Sequence, residues 1–157
     1  MVKLNCDGGF CAENMTGSTG AVLQSSEGSF LGAVMRGIPS MSSALVAEAE
    51  ACRDGLPLTL MRGGPEHVIL ESDSLQLVSL WKDCCKQRSE ISTILDEMQE
   101  MVTALPSVTF VHVSRSGNGV AHLCAKNASS SSPSPQWYSQ PPRFLLATLQ
   151  SDCTASE

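Results

Sequence analysis

Leu4-Asn5-Cys6-Asp7-Gly8-Gly9 is the stretch on which the fold of this chain turns. Leu4 and Cys6 alternate with polar neighbours, as one face of a strand does, and the run carries an aspartate out of the expected sheet. The two glycines after it let another backbone approach closely. A strand ending in Asp-Gly is more often a plain turn than a site. The meaning of Asp7 therefore depends on whether other acids arrive at the same place.

Downstream of this strand, placed over Val2 to Asp7, residues Gly8 to Gly17 read as a turn or irregular connection. Thr19 to Ser25 and Phe30 to Arg36 are two further strand candidates, joined by the polar hairpin segment Ser26-Glu27-Gly28-Ser29. At Pro39 to Ser43 the period changes. Ser42 or Ser43 can cap a helix on which Leu45, Ala49, Cys52 and Leu56 form one apolar stripe. Pro57 removes a backbone hydrogen bond, which predicts a kink or an early stop there.

Val68-Ile69-Leu70 is the kind of run shown by a strand buried on both faces, and it ends in Glu71-Ser72-Asp73-Ser74. Leu75 to Cys85 and Ile91 to Leu105 read as helices around the polar break Lys86-Gln87-Arg88-Ser89. Val108 to Val113 reads as a last strand, and Asn118 to about Ala128 as a final helix. From Ser129 to Pro142 the composition shifts to Ser, Pro and Gln, which is that of a linker. The expected organisation is a domain over residues 1–128 and a linker with a short tail over 129–157, in which Phe144 to Leu149 can form a helical turn or two and dock back through Trp137 or Phe144.

A length of 157 residues with 42% hydrophobic and 17% charged content suits a single core. No run approaches a membrane span, and no signal-peptide pattern precedes the first strand, so the expectation is an intracellular protein, nuclear or cytoplasmic, with no membrane partner. The seven cysteines are odd in number and lack CxxC spacing, which reads as reduced thiols rather than a disulfide frame or zinc site. The net charge of -6 argues against a strongly basic nucleic-acid-binding surface. Any polyanion must then be held through metal ions or local patches.

If the first and fourth strands lie side by side and parallel, Asp7 and Asp73 become neighbours beyond their carboxyl ends, where the reactive crevice of an open α/β sheet lies. Glu48 can join them from the helix. It lies roughly 80° from the centre of the apolar stripe, against about 120° on the other side for Glu50, at 100° per residue. Clustered carboxylates repel one another and resist burial, so such a site makes sense when hard divalent cations neutralise it. Oxygen ligands favour magnesium or manganese. Two such ions can activate a water and stabilise a leaving oxygen in phosphodiester cleavage.

At this point the residues resemble type 1 ribonuclease H, and more closely the ribonuclease H-like domains of plant retrotransposon-derived proteins. Lys3 to Gly9 is similar to the family's first strand and first acid, and Ser42-Ser43-Ala44-Leu45-Val46-Ala47-Glu48-Ala49-Glu50-Ala51 to its acid-bearing helix. Glu71-Ser72-Asp73-Ser74 is similar to its third acid. His112-Val113-Ser114-Arg115-Ser116-Gly117-Asn118 and Ala121-His122-Leu123-Cys124-Ala125 are similar to its last motif. The tail also resembles plant members in the succession Trp137, Pro141, Pro142, Leu145, Leu146, Leu149 and Asp152.

The resemblance implies an α/β ribonuclease H-like fold, a five-stranded mixed sheet of order 3-2-1-4-5 flanked by helices, in a monomer that hydrolyses the RNA strand of RNA/DNA hybrids. Asp7, Glu48 and Asp73 would hold two magnesium or manganese ions. His112 matches a mobile histidine that helps move protons or release product, although by itself it is a strand-end surface histidine. Gly8, Gly9 and Ser74 fall where substrate passes, and Asn118 matches a residue that positions substrate or the neighbouring ligand.

The departure is His122, where the family commonly has a fourth metal-binding aspartate. A neutral imidazole can ligate a metal but adds no negative charge, so the second ion binds more weakly and manganese gains on magnesium. The helical region around residues 81–105 also carries more acids than bases, without a basic protrusion to grip a hybrid. Beside the nuclease stand a catalytically weak or silent domesticated domain that binds nucleic acid or protein, and a nuclease of the same fold with another substrate.

Overall fold

The computed structural model describes residues 1–83, 90–128 and 135–154. Strands β1 (Val2–Cys11), β2 (Thr16–Ser25) and β3 (Phe30–Ile38) form an antiparallel meander. On the other side of β1, β4 (Val68–Ser72) and β5 (Val108–His112) pair in parallel, as strands joined through helical connections do. The order is β5-β4-β1-β2-β3-β6, where β6 is Gln136–Trp137. The expected 3-2-1-4-5 order is intact, and the sheet has six strands rather than five because the tail adds one against β3.

β1 is longer than its apolar alternation indicates. It continues through Gly8 and Gly9 to Cys11, each residue paired with β2, so the expected irregular connection shrinks to residues 12–15. Backbone pairing, rather than side-chain burial, carries this half of the strand, and hydrophobic periodicity does not register it.

The sheet is apolar on both faces. Leu4 and Cys6 of β1, Ala21 and Leu23 of β2 and Val34 of β3 face helices α1 (Ala44–Met61), α2 (Leu75–Lys82) and α3 (Ser92–Thr103), forming the larger core. The intervening positions Val22, Ala33 and Met35 meet Val120 and Cys124 of α4 (Gly119–Asn127) on the opposite face. There α4 lies so close to the sheet that a Cβ on Gly20 would stand 2.4 Å from the backbone nitrogen of Ala125.

Ser43 caps α1, its hydroxyl accepting from the Val46 amide at 3.2 Å. Contrary to expectation, the helix does not stop at Pro57 but runs on to Met61. Pro57 is exposed while Leu56 and Leu58 beside it are buried, so the carbonyl deprived of a donor lies on the solvent side, and packing carries the helix through. Helix α2 ends at Lys82, and the expected polar break at Lys86 to Ser89 lies outside the described residues.

The fold also continues past the expected boundary at Ala128. After β6, a 3-10 turn (Arg143–Leu145) leads into α5 (Leu146–Thr154), and Leu145 and Leu149 complete the core beneath α4. Trp137 and Phe144 meet edge to face, centroids 6.1 Å apart. Arg62, just after α1, donates to the carbonyls of Leu31 and Tyr138 and fastens this segment to β3. Among the described residues, no helix is long and apolar enough to cross a membrane.

Candidate active site

The parallel pairing of β1 with β4 stops at Cys6 and Ser72. Beyond that rung β1 continues with β2 alone, and Asp7 is its first residue without a β4 neighbour. The chain after β4 is turned away by local bonds: the Ser74 amide donates to Ser72 Oγ at 3.1 Å, and Ser74 Oγ accepts from the Leu77 amide to cap α2. Asp73 is left at the strand end, next to Asp7. Ser74, expected on the substrate side, serves as this cap.

Glu48 reaches the same place because β1 has no side chain at Gly8. A Cβ there would lie 2.2 Å from the Ala47 carbonyl carbon and 2.4 Å from the Glu48 amide nitrogen, so the first turns of α1 rest directly on the strand. Gly8, expected where substrate passes, has α1 packed where a Cβ would stand, and it also borders the cleft beside Asp7. A Cβ on Gly9 would meet the Ser18 side chain, its hydroxyl at 2.6 Å. Glu50 points elsewhere and is held by Arg36 at 2.6 Å and by Arg53.

Asp7, Glu48 and Asp73 each present an oxygen, all within 4.8 Å of one another. Asp7 is only 5% exposed. Burial, then the charges of Asp7 and Asp73, push the Glu48 carboxyl up to about 9. Burial also raises Asp7; its hydrogen bond to His122 opposes this and the Asp73 charge adds to it. Glu48 Oε2 is buried without a hydrogen-bond partner. An orphaned carboxylate oxygen among crowded acids is the donor set a hard divalent cation satisfies, so these residues fit magnesium or manganese.

His122 stands outside this group of three. Its Nδ1 lies 2.9 Å from Asp7 Oδ2, while the ring is partly exposed. The imidazole expected as a fourth ligand lies beside the three acids, with its Nδ1 against Asp7.

His112 ends β5, is exposed, and borders an open cleft of about 570 Å³ with Glu48, Asp73 and Ser74. A second cleft of about 420 Å³ runs past Asp7, Gly9, His122 and Lys126. Arg115 borders both, 3.9 Å from Asp73. The sequence reading passed over Arg115 and Lys126, although Arg115 lies within the last motif, Lys126 directly follows it, and a local basic patch was what the charge balance called for.

Asn118, expected to position substrate or the neighbouring ligand, lies inside the protein. It is wholly buried and donates from Nδ2 to the Cys6 carbonyl at 2.8 Å. Asn5 Nδ2 in turn donates to Asn118 Oδ1 at 3.1 Å and to Glu71 Oε2 at 2.8 Å. Asn5 and Glu71 escaped the sequence reading. The available signal was polar residues at positions two before each aspartate, inside otherwise apolar strands.

The reverse transcriptase-like family profile matches residues 5–128. No curated protein matches the chain in sequence. Among solved structures, the N-terminal RNase H domain of a Mycobacterium tuberculosis protein superposes with a TM-score of 0.74 at 20% identity, over 81% of this chain and 91% of that one. RNase H1 from the halophilic archaeon Halobacterium salinarum gives 0.73 at 20% identity, over 81% and 96%. LC11-RNase H1, isolated from compost by a metagenomic approach and crystallised with an RNA/DNA hybrid, gives 0.74 at 20% identity, over 82% and 96%. The architecture is the ribonuclease H fold.

Proposed function

Because the chain belongs to the reverse transcriptase-like family, we propose that it hydrolyses the RNA strand of RNA/DNA hybrids in a reaction dependent on divalent cations. The observation that carries this reading is the convergence of Asp7, Glu48 and Asp73 within 4.8 Å, with a buried Glu48 oxygen lacking any partner. The hybrid complex of the structurally similar LC11-RNase H1 supports the choice of substrate.

Asp7, Glu48 and Asp73 would hold two magnesium or manganese ions, which supply an activated water and charge neutralisation at a phosphodiester. The protein's part is orientation. The rigid rung at Cys6 and Ser72 fixes the two aspartates relative to each other, and the Gly8 contact fixes Glu48 over them. His112 would take or give a proton at the leaving oxygen, a role that its exposure at the cleft rim supports. Arg115 borders both clefts and brings positive charge beside the acids, where a phosphate must sit. The products are 5′-phosphate and 3′-hydroxyl ends. Preference for RNA rests on 2′-hydroxyl contacts near Gly9 and around Ala44 to Glu48. The protein acts as an intracellular monomer, nuclear or cytoplasmic. A retrotransposon-derived origin fits the reverse transcriptase-like family, and a plant source rests on the resemblance of the residue succession from Trp137 to Asp152 to plant members.

A second reading is favoured by one observation, the occupation of Asp7 by His122. It makes the domain a catalytically weak nucleic-acid-binding or interaction module. A substrate panel separates the two: labelled RNA/DNA hybrid, duplex DNA and duplex RNA, each in magnesium and in manganese. The nuclease cuts the hybrid alone, and faster in manganese. Binding of the hybrid without cleavage in either metal establishes the module.

A further inference from the structure

Asn5, Glu71 and Asn118 join the three segments that carry the site. Asn5 and Glu71 face each other as register partners of the parallel β1–β4 pair, linked by a 2.8 Å bond. Each lies two residues before an aspartate of the acid cluster, Asp7 and Asp73 respectively, and so at the last same-face position before it. Asn118 enters from the turn that precedes α4, the helix bearing His122.

Its amide donates to the Cys6 carbonyl, at the rung where β4 stops pairing with β1, and its oxygen accepts from Asn5. A side chain thus continues the hydrogen bonding of the sheet at the point where Asp7 and Asp73 diverge. Glu71 and Asn118 are buried, as is Asn5, and none of the three lies in the acid cluster itself. Their bonds have no access to substrate. The cost of burying three polar side chains in one place is offset only if each is satisfied, as each is here.

We infer that Asn5, Glu71 and Asn118 are positioning residues that set the spacing of Asp7 and Asp73, and through it the affinity of the site for a divalent cation. This rests on the reading of the acids as a cation site. Residues that orient metal ligands through hydrogen bonds change metal affinity by about 10- to 100-fold when removed. A core residue at the opposite end of the sheet changes stability without changing affinity.

The test is calorimetric titration of the full chain with Mn²⁺, alongside thermal midpoints for each variant. Asn118→Ala and the double variant Asn5→Leu/Glu71→Met are expected to weaken Mn²⁺ binding about 10- to 100-fold while remaining folded. The double variant removes both members of the Asn5–Glu71 pair together and leaves Asn118 Oδ1 without its Asn5 donor. Glu71→Gln keeps an acceptor for Asn5 and is expected to bind as the parent does. Leu105→Ala, in the core near the start of β5, is expected to lower the midpoint alone. Parent-like Mn²⁺ affinity in folded Asn118→Ala and in the double variant overturns the inference. So does an equal loss in Leu105→Ala, or failure of both network variants to fold. A parent chain that binds no Mn²⁺ overturns the cation site itself.

Discussion

His122 Nδ1 lies 2.9 Å from Asp7 Oδ2, and this contact decides how the acidic site behaves. One oxygen of the most buried aspartate is engaged by a side chain that brings no negative charge. The site therefore gathers three carboxylates and an adjoining imidazole, a set that suits manganese better than magnesium.

His122→Asp adds a carboxylate and releases the Asp7 oxygen. The expected result is Mg²⁺ binding tighter by about tenfold, equivalent to about 1.4 kcal/mol, with a smaller gain for Mn²⁺. Calorimetric titration with each metal checks the difference between the two gains.

Metal-free stability is expected to fall as pH rises. Glu48 is held at about 9 in the folded chain, against an ordinary value of 4.5. Between these values the folded state retains a proton that the unfolded state has released, so each step up in pH favours unfolding. Asp7 is raised too and acts with the same sign. Urea midpoints measured in chelator from pH 4.5 to 9 should decline, and Glu48→Gln should flatten the decline.

Gly8→Ala is expected to destabilise the fold by about 1–3 kcal/mol, because the new Cβ falls 2.2 Å from the Ala47 carbonyl carbon. The backbone must move, and Glu48 moves with it. Urea denaturation measures the first effect, and Mn²⁺ titration the loss of affinity that accompanies it.

Truncation after Ala128 removes Leu145 and Leu149 from the core beneath α4, and with them the strand that covers the edge of β3. Burial of these two leucines contributes about 3 kcal/mol or more. Chemical denaturation of the shortened chain should show a loss of that order.

The three acids were legible in sequence because each sits where local chemistry marks it. Asp7 follows the apolar half of β1, Asp73 follows the end of β4, and Glu48 lies a turn past a serine cap. The discrimination of Glu48 from Glu50 came from helical angle alone, and Arg36 shows why it holds: Glu50 has its own partner. Gly8 does let another backbone approach, that of α1, but was placed in a turn because a glycine that makes room for a helix looks the same as one that makes a turn. Pro57 misled because the packing of Leu56 and Leu58 outweighs one missing bond on an exposed face. The tail was read as a linker followed by a helical turn or two, without β6, because a two-residue strand has no periodicity. Asn5 and Glu71 stayed hidden because a buried polar residue on a strand carries the same letter as a solvated one.

The most direct measurement is cleavage of an end-labelled RNA/DNA hybrid in manganese by the natural chain and by Asp73→Asn. The account predicts endonucleolytic products with 3′-hydroxyl ends from the natural chain, and a loss of at least about 100-fold in the variant, as when a charge-stabilising group is removed from an active site. No cleavage by a folded natural chain that binds the hybrid, or equal cleavage by Asp73→Asn, would contradict it.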